Sequence, residues 1–465
     1  MKEVLEQLVR KHQGFVELRW HRRTSNSFVA TKGRVDVANH NVTEGVGVRA
    51  MVDGAFGFAA TADVSPAAID RAIQQAQKNA RLLAAARSKG THKVALAPAK
   101  LSTLDFKGPG FDELRAMSLA DKLKQVVDYE GRLSKASKMV HTARCRYNEI
   151  LEEKAIVTSE GARCSLALAQ PEITLSAIAE KNGDLATSSK GAGVGGGWTC
   201  LFNHPSLGNM VDETAKIAVD LLSAKPPEGG QKTVILAPAV VGLLCHEAIG
   251  HTVEADFVKS GSVAQGKIGQ RVASDLVTIA DSGRETLFGY AAGNMPFDDE
   301  GVETEETTII ERGILKSYLH NRETAAEFGV APTGNARAWL FHDEPLIRMR
   351  NTYLAPGEHS LADMIAGVED GYLVEGSGSG QADANGEFMF GTGYVWRLQN
   401  GQKKELMREA TLSGIAFDVL QTVDAVSREF LWDLGTGYCG KGQAAKVDAG
   451  GPYVRCRITV GGRQA

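Results

Sequence analysis

The run KPPEGGQ, residues 225–231, constrains this chain more than any other stretch. Its prolines fix φ and lack an N–H, and its glycines add backbone freedom, so neither helix nor strand continues through it. Before it, helix and strand patterns alternate; after it, short β-type runs dominate. The expected fold is therefore α+β, with an N-terminal α/β-mixed domain over 1–230. A β-rich C-terminal domain over 231–465 follows, carrying one distorted helix. A length of 465 residues agrees with two or three domains.

On the N-terminal side, MKEVLEQLVRKH reads as an amphipathic helix with Leu5, Leu8 and Val9 on one face. FVELRW, SFVATKG, RVDVANH, VGVRAMVDG and AFGFAAT read as separate strands, with Gly54 in a hairpin turn. Ser65-Pro66 offers an N-cap and a first-turn proline to an Ala-rich helix. Residues 88–110 read as a connector, 111–134 as one helix, and 138–186 as strands. GAGVGGGW (191–198) lacks the Lys-Ser/Thr of a phosphate loop and reads as a mobile or tightly packed loop. A helix near 207–224 follows. Beyond KPPEGGQ, KTVILAPA is a buried-strand pattern, and Pro238 starts the helix AVVGLLCHEAIGHTVEADFV. TTIIERGILKSYLH, PLIRMRNTYLA, FMFGTGYVWRLQNG and YVRCRITVGG then describe an antiparallel domain with that helix docked on it.

A net charge of −4 and the lack of any basic block argue against direct nucleic-acid binding. With no bilayer-length apolar run and no secretion signal at the N-terminus, no membrane partner and a cytoplasmic location are expected. Six cysteines are too sparse for a disulfide scaffold and are expected as free thiols. Cys145, Cys164, Cys245 and Cys456 read as core filler, and Cys200 has no assigned role. Asp298-Asp299-Glu300, with Glu303, Glu305 and Glu306, reads as a solvated acidic face.

CHEAIGHTVEAD, residues 245–256, carries the chemistry. Neutral imidazoles bind zinc, and a carboxylate beside them can take a proton from an attacking water. His246 and His251 are candidate ligands and Glu247 the candidate base. Their spacing is awkward: residues five apart on a regular helix differ by about 140° around its axis. A wide π-type turn would bring both rings to one ion, so an irregular helix is expected between Glu247 and His251, with Gly250 as the place of distortion. A catalytic zinc usually has three protein ligands. Chemistry alone leaves the third open between Cys439, in GTGYCGKGQ, and the carboxylates of Glu254 and Asp256.

HEAIGHTVEAD resembles the signature of the TldD/PmbA metallopeptidases, also called modulators of DNA gyrase. VAPTGNAR, RMRNTYLAPGE, ADANGEFMFG and CGKGQ resemble segments of that family in the same order. Lys441-Gly442-Gln443 is contiguous, whereas the family loop often carries an extra residue there. The resemblance implies a cytoplasmic zinc peptidase acting on extended, unstructured peptides or small protein precursors. It implies Zn2+ on His246, His251 and Cys439, with Glu247 as base. It also implies a dimer, either of identical chains or with a homologous partner lacking the metal motif; this chain, with the motif intact, is similar to the active subunit. His320, Arg337 and Asn351 lie in matched segments without an assigned role. Two other functions are weighed: an interaction protein with a structural metal site, and a metal-dependent hydrolase of a non-peptide amide.

Overall fold

A computed structural model describes residues 1–87, 93–284 and 290–461, so part of the expected connector, 88–92, lies outside the described residues. The N-terminal half is built on a sheet of long strands. After α1 (Lys2–Val9) come β1 (Phe15–Thr31), β2 (Arg34–Val52) and β3 (Ala55–Thr61), then α2 (Pro66–Ala86). Next are β4 (Asp105–Lys107), α3 (Phe111–Ala116), α4 (Leu119–Lys135), β5 (Val140–Thr158), β6 (Arg163–Lys181) and β7 (Asp184–Gly193). The order is β3-β2-β1-β5-β6-β4, with β7 on β6; only β4 runs parallel to its neighbour. Ser65 caps α2 as expected, its side chain accepting from the Ala68 N–H.

FVELRW and SFVATKG prove to be two ends of the single strand β1, and RVDVANH and VGVRAMVDG two parts of β2. Their polar middles do not break the strands, because β1 pairs with β2 on one side and β5 on the other along nearly its whole length. The expected helix over 111–134 is instead two. Met117 turns to extended angles, and Ser118 caps α4 by accepting from the Asp121 N–H.

Alternation along β1 explains the core. Val16 and Leu18 are fully buried among Leu5, Ile69 and Ile73 of α1 and α2. Glu17, Arg19, His21 and Arg23, on the opposite face, are buried too. Arg19 of that face lies 3.9 Å from Asp299 of the acidic run, which is no solvated face: Asp298, Asp299 and Glu300 are each 1% exposed. Arg49 donates to Glu17 at 2.8 Å and to Glu300 at 2.7 Å, and Lys154 lies 2.9 Å from Asp299. Asp298 accepts the N–H groups of Glu300, Val302 and Ala336. Opposite charges and backbone donors on the facing surface make burial of these acids tolerable. Glu305 and Glu306 do remain exposed.

Short helices α5 (Trp198–Phe202) and α6 (Met210–Leu221) lead to the second sheet. Its heart is a closed ring. β8 (Gly230–Leu236) pairs with Asp370–Ala382, that strand with Glu387–Gln399, and the next with Thr411–Ile415. Thr411–Ile415 pairs with Asp448–Gly461, which returns to β8. Against the ring packs α7 (Pro238–Leu243), continued by Leu244–Gly250. Every residue from Pro238 to Gly250 is buried except the half-buried Glu247. A helix apolar nearly all round belongs inside. No helix among the described residues is long and apolar enough to cross a membrane.

The glycine-rich stretch is tightly packed. Gly193 and Gly435 lie so close that a Cβ on either would enter the van der Waals shell of the other's carbonyl oxygen.

Candidate metal centre

Over Leu244–Gly250 the helix widens to a π-helix, then narrows to a 3-10 turn at His251–Val253. Glu254 leaves it with extended angles, so AVVGLLCHEAIGHTVEADFV is not one continuous helix. The widening puts His246 and His251 on one side, with ring centroids 5.3 Å apart and planes at 81°. Gly250 itself keeps ordinary helical angles, φ −55° and ψ −51°. Its reason is space: a Cβ there would collide with the Met349 sulfur.

Cys439 enters from the hairpin of Tyr438–Gly440 and Ala444–Lys446. Its Sγ lies 3.2 Å from His251 Nε2. Among the described residues, His246, His251 and Cys439 form a group whose donor atoms all lie within 4.8 Å of one another. Glu247 Oε2 stands 3.7 Å from His251 Nε2. Of the other candidates for third donor, Glu254 Oε2 is 2.9 Å from the far nitrogen of His251, Nδ1, and Asp256 pairs with Lys441. Neither belongs to the group.

Two observations fit this group to a metal ion. His246 is 4% exposed, yet apart from the Cys439 thiol beside it neither ring nitrogen has a hydrogen-bond partner, a costly state for buried polar atoms. Cys439 differs from the other buried thiols. Burial pushes Cys145, Cys164 and Cys245 up, and Cys456 up to about 12. Burial raises Cys439 as well, but the imidazoles of His246 and His251 outweigh it and bring the thiol down to about 4. Thiolate is the form that binds metal. Burial also opposes charge on His251, yet Glu254 and Cys439 hold it up at about 10.

The surrounding contacts use residues that motif reading passed over. Lys441 Nζ donates to Glu254 at 3.0 Å, to Asp256 at 2.8 Å and to the Ile347 carbonyl at 3.1 Å. Arg348, fully buried, donates to the carbonyls of Cys439 and Gln443, each at 2.7 Å. Both residues sit inside quoted segments, CGKGQ and RMRNTYLAPGE, but no spacing rule links them to the histidines. His320, Arg337 and Asn351 are outside the group. His320 bonds Thr324, Arg337 the carbonyls of Met349 and Lys446, and Asn351 the Ser282 carbonyl.

Two imidazoles, a thiolate and a neighbouring half-buried carboxylate are the equipment of a metal-dependent hydrolase. Comparison with known proteins agrees. Models of the PmbA/TldA metallopeptidase match in three parts: domain 1 over residues 16–80, the central domain over 112–222 and the C-terminal domain over 229–462. A metalloprotease of Methanocaldococcus jannaschii is 32% identical over 96% of both chains. A zinc metalloprotease TldD homolog of Saccharolobus solfataricus is 28% identical, also over 96% of both. In fold, the chain is similar to a modulator of DNA gyrase from Thermotoga maritima, with a TM-score of 0.80 at 20% identity over 99% of each chain. TldE from Thermococcus kodakarensis also gives a TM-score of 0.80, at 19% identity over 98% of this chain and 100% of that one.

The chain belongs to the PmbA/TldD metallopeptidase family. It is a metalloprotease.

Proposed function

We propose that the chain is a zinc peptidase acting on extended peptides, with one zinc ion held by His246, His251 and Cys439 and with Glu247 as the base. The single observation that carries this reading is the convergence of three metal-donor side chains beside a carboxylate. That three protein donors, and no fourth, meet there among the described residues supports a catalytic over a closed structural site. When bound, zinc supplies Lewis-acid polarisation of the scissile carbonyl and of the attacking water.

The chain's own residues do the rest. His251 presents Nε2 to the group, while Glu254 accepts at Nδ1 and fixes the ring's orientation. Glu247 is the one incompletely buried residue of its helix, so its carboxylate beside His251 is open to solvent. There it takes a proton from the attacking water and delivers it to the leaving amine. Strand addition would let the surrounding β-structure hold a peptide by its backbone with little demand on sequence. The cytoplasm is the expected compartment. The working form is a dimer, of two such chains or with a homologous partner lacking the histidine motif.

The test is hydrolysis of an unstructured peptide mixture by the purified chain, read by mass spectrometry, before and after metal removal and zinc return. Cleavage lost on chelation and restored by zinc supports the reading. Cleavage indifferent to the metal refutes it.

A further inference from the structure

The contacts of Lys441 join the two pieces of chain that bring the donors together. Lys441 sits in the turn of the hairpin that carries Cys439, two residues beyond the sulfur. Its ammonium reaches across to Glu254 Oε2 at 3.0 Å, and Glu254 Oε2 is also 2.9 Å from His251 Nδ1. Asp256 and the Ile347 carbonyl take the remaining two donors, and the ammonium lies 4.4 Å over the Phe257 ring. All three protons of the ammonium thus have partners. Glu254 is completely buried, and a buried carboxylate without a countercharge is costly.

We propose that Lys441 and Glu254 are positioning residues forming a latch. Glu254 orients His251 with Nε2 toward the donor group, and Lys441 ties the Cys439 turn to that carboxylate, so imidazole and sulfur are held by one ion pair. The inference rests on His246, His251 and Cys439 being the metal-holding set. Neither latch residue touches substrate or the reacting atoms. Arg348 secures the same turn from its other side through the carbonyls of Cys439 and Gln443, so loss of the lysine loosens the turn without releasing it.

The latch has a readout that does not depend on turnover. Zinc affinity is measured by competition with a chromophoric chelator, and cobalt(II) substitution reports the thiolate through its sulfur-to-cobalt charge-transfer absorption. The proteins compared are wild type, Cys439→Ala, Lys441→Met, Lys441→Arg, Glu254→Gln and the double variant Lys441→Met/Glu254→Gln. The first two test the underlying reading. A wild type that binds no metal, or a Cys439→Ala variant that binds as tightly as wild type, sinks that reading whatever the lysine does.

With wild-type binding established, Lys441→Met is expected to bind zinc roughly 10–100-fold more weakly, with its circular dichroism unchanged. Its charge-transfer band should weaken as the sulfur drifts. Lys441→Arg should recover part of the loss. The double variant should be no worse than the weaker single one, as two halves of one device require. Zinc affinity in Lys441→Met within about twofold of wild type, with the same cobalt spectrum, overturns the proposal. Should that variant fail to fold, Glu254→Gln decides alone: unchanged affinity overturns the latch and weakened affinity supports it.

Discussion

His251 donates its backbone N–H to the carbonyl of His246, five residues earlier. An α-helical bond would reach back only four residues. That one longer step lets histidines spaced five apart share a face. Replacing either His246 or His251, or Cys439, with Ala should therefore lower zinc affinity by roughly 100-fold or more while leaving the fold intact. Metal content after dialysis checks this. A variant that keeps its full equivalent of zinc would remove that residue from the donor set.

Glu247 should separate chemistry from metal binding. Glu247→Gln retains shape but cannot accept a proton, so peptide hydrolysis should fall by about 10²–10⁴-fold. Its zinc content should equal that of wild type. Undiminished turnover would exclude Glu247 as the base.

The close approach of Gly193 and Gly435 leaves no room for a methyl group on either. Gly193→Ala should destabilise the protein by about 1–3 kcal/mol. It should also weaken zinc binding, because Gly435 lies just ahead of Cys439 in the chain. Urea unfolding and chelator competition measure the two effects. An undisturbed midpoint would mean that the two backbones can separate at no cost.

His21 should make the protein acid-sensitive. Burial, reinforced by the Lys154 charge, pushes it from 6.5 down to about 3, against the pull of Glu152 2.9 Å away. The folded state thus keeps the imidazole neutral, and protons bind the unfolded chain more readily. The resulting stability is fully present above about 6.5 and is lost as pH falls toward 3. His21→Gln removes this dependence. Relative to that variant, wild type should lose up to about 1.4 kcal/mol per pH unit across the window. Urea midpoints at several pH values test it, and a constant difference between the two proteins would contradict the assignment.

Much of the site could be read because its signals are local or strung in order. The five-residue histidine spacing demanded a non-standard turn, and Ser65-Pro66 announced α2 through capping chemistry confined to neighbours. The resemblance of CGKGQ brought in Cys439, which no spacing rule connects to His251. What stayed hidden was partnership across the fold. Nothing in DDEGVETEE, residues 298–306, tells a solvated run from a buried one. Asp299 and Glu300 are buried because Lys154 and Arg49, far away in sequence, face them. The single strand β1 reads as two for a similar reason: its polar middle shows no strand pattern until β2 and β5 are known to flank it. Lys441 was visible as a letter, but its reach to Glu254 belongs to the packing of hairpin on helix.

The wide separation of Cys439 from His251, 188 residues along the chain, has a consequence for biosynthesis. As translation proceeds, both imidazoles and Glu247 emerge well ahead of the sulfur. The ring against which their helix packs also stays open until Asp448–Gly461 arrives to bridge Thr411–Ile415 and β8. On the proposed donor set, a nascent chain therefore holds only part of the site until its last strand has been made.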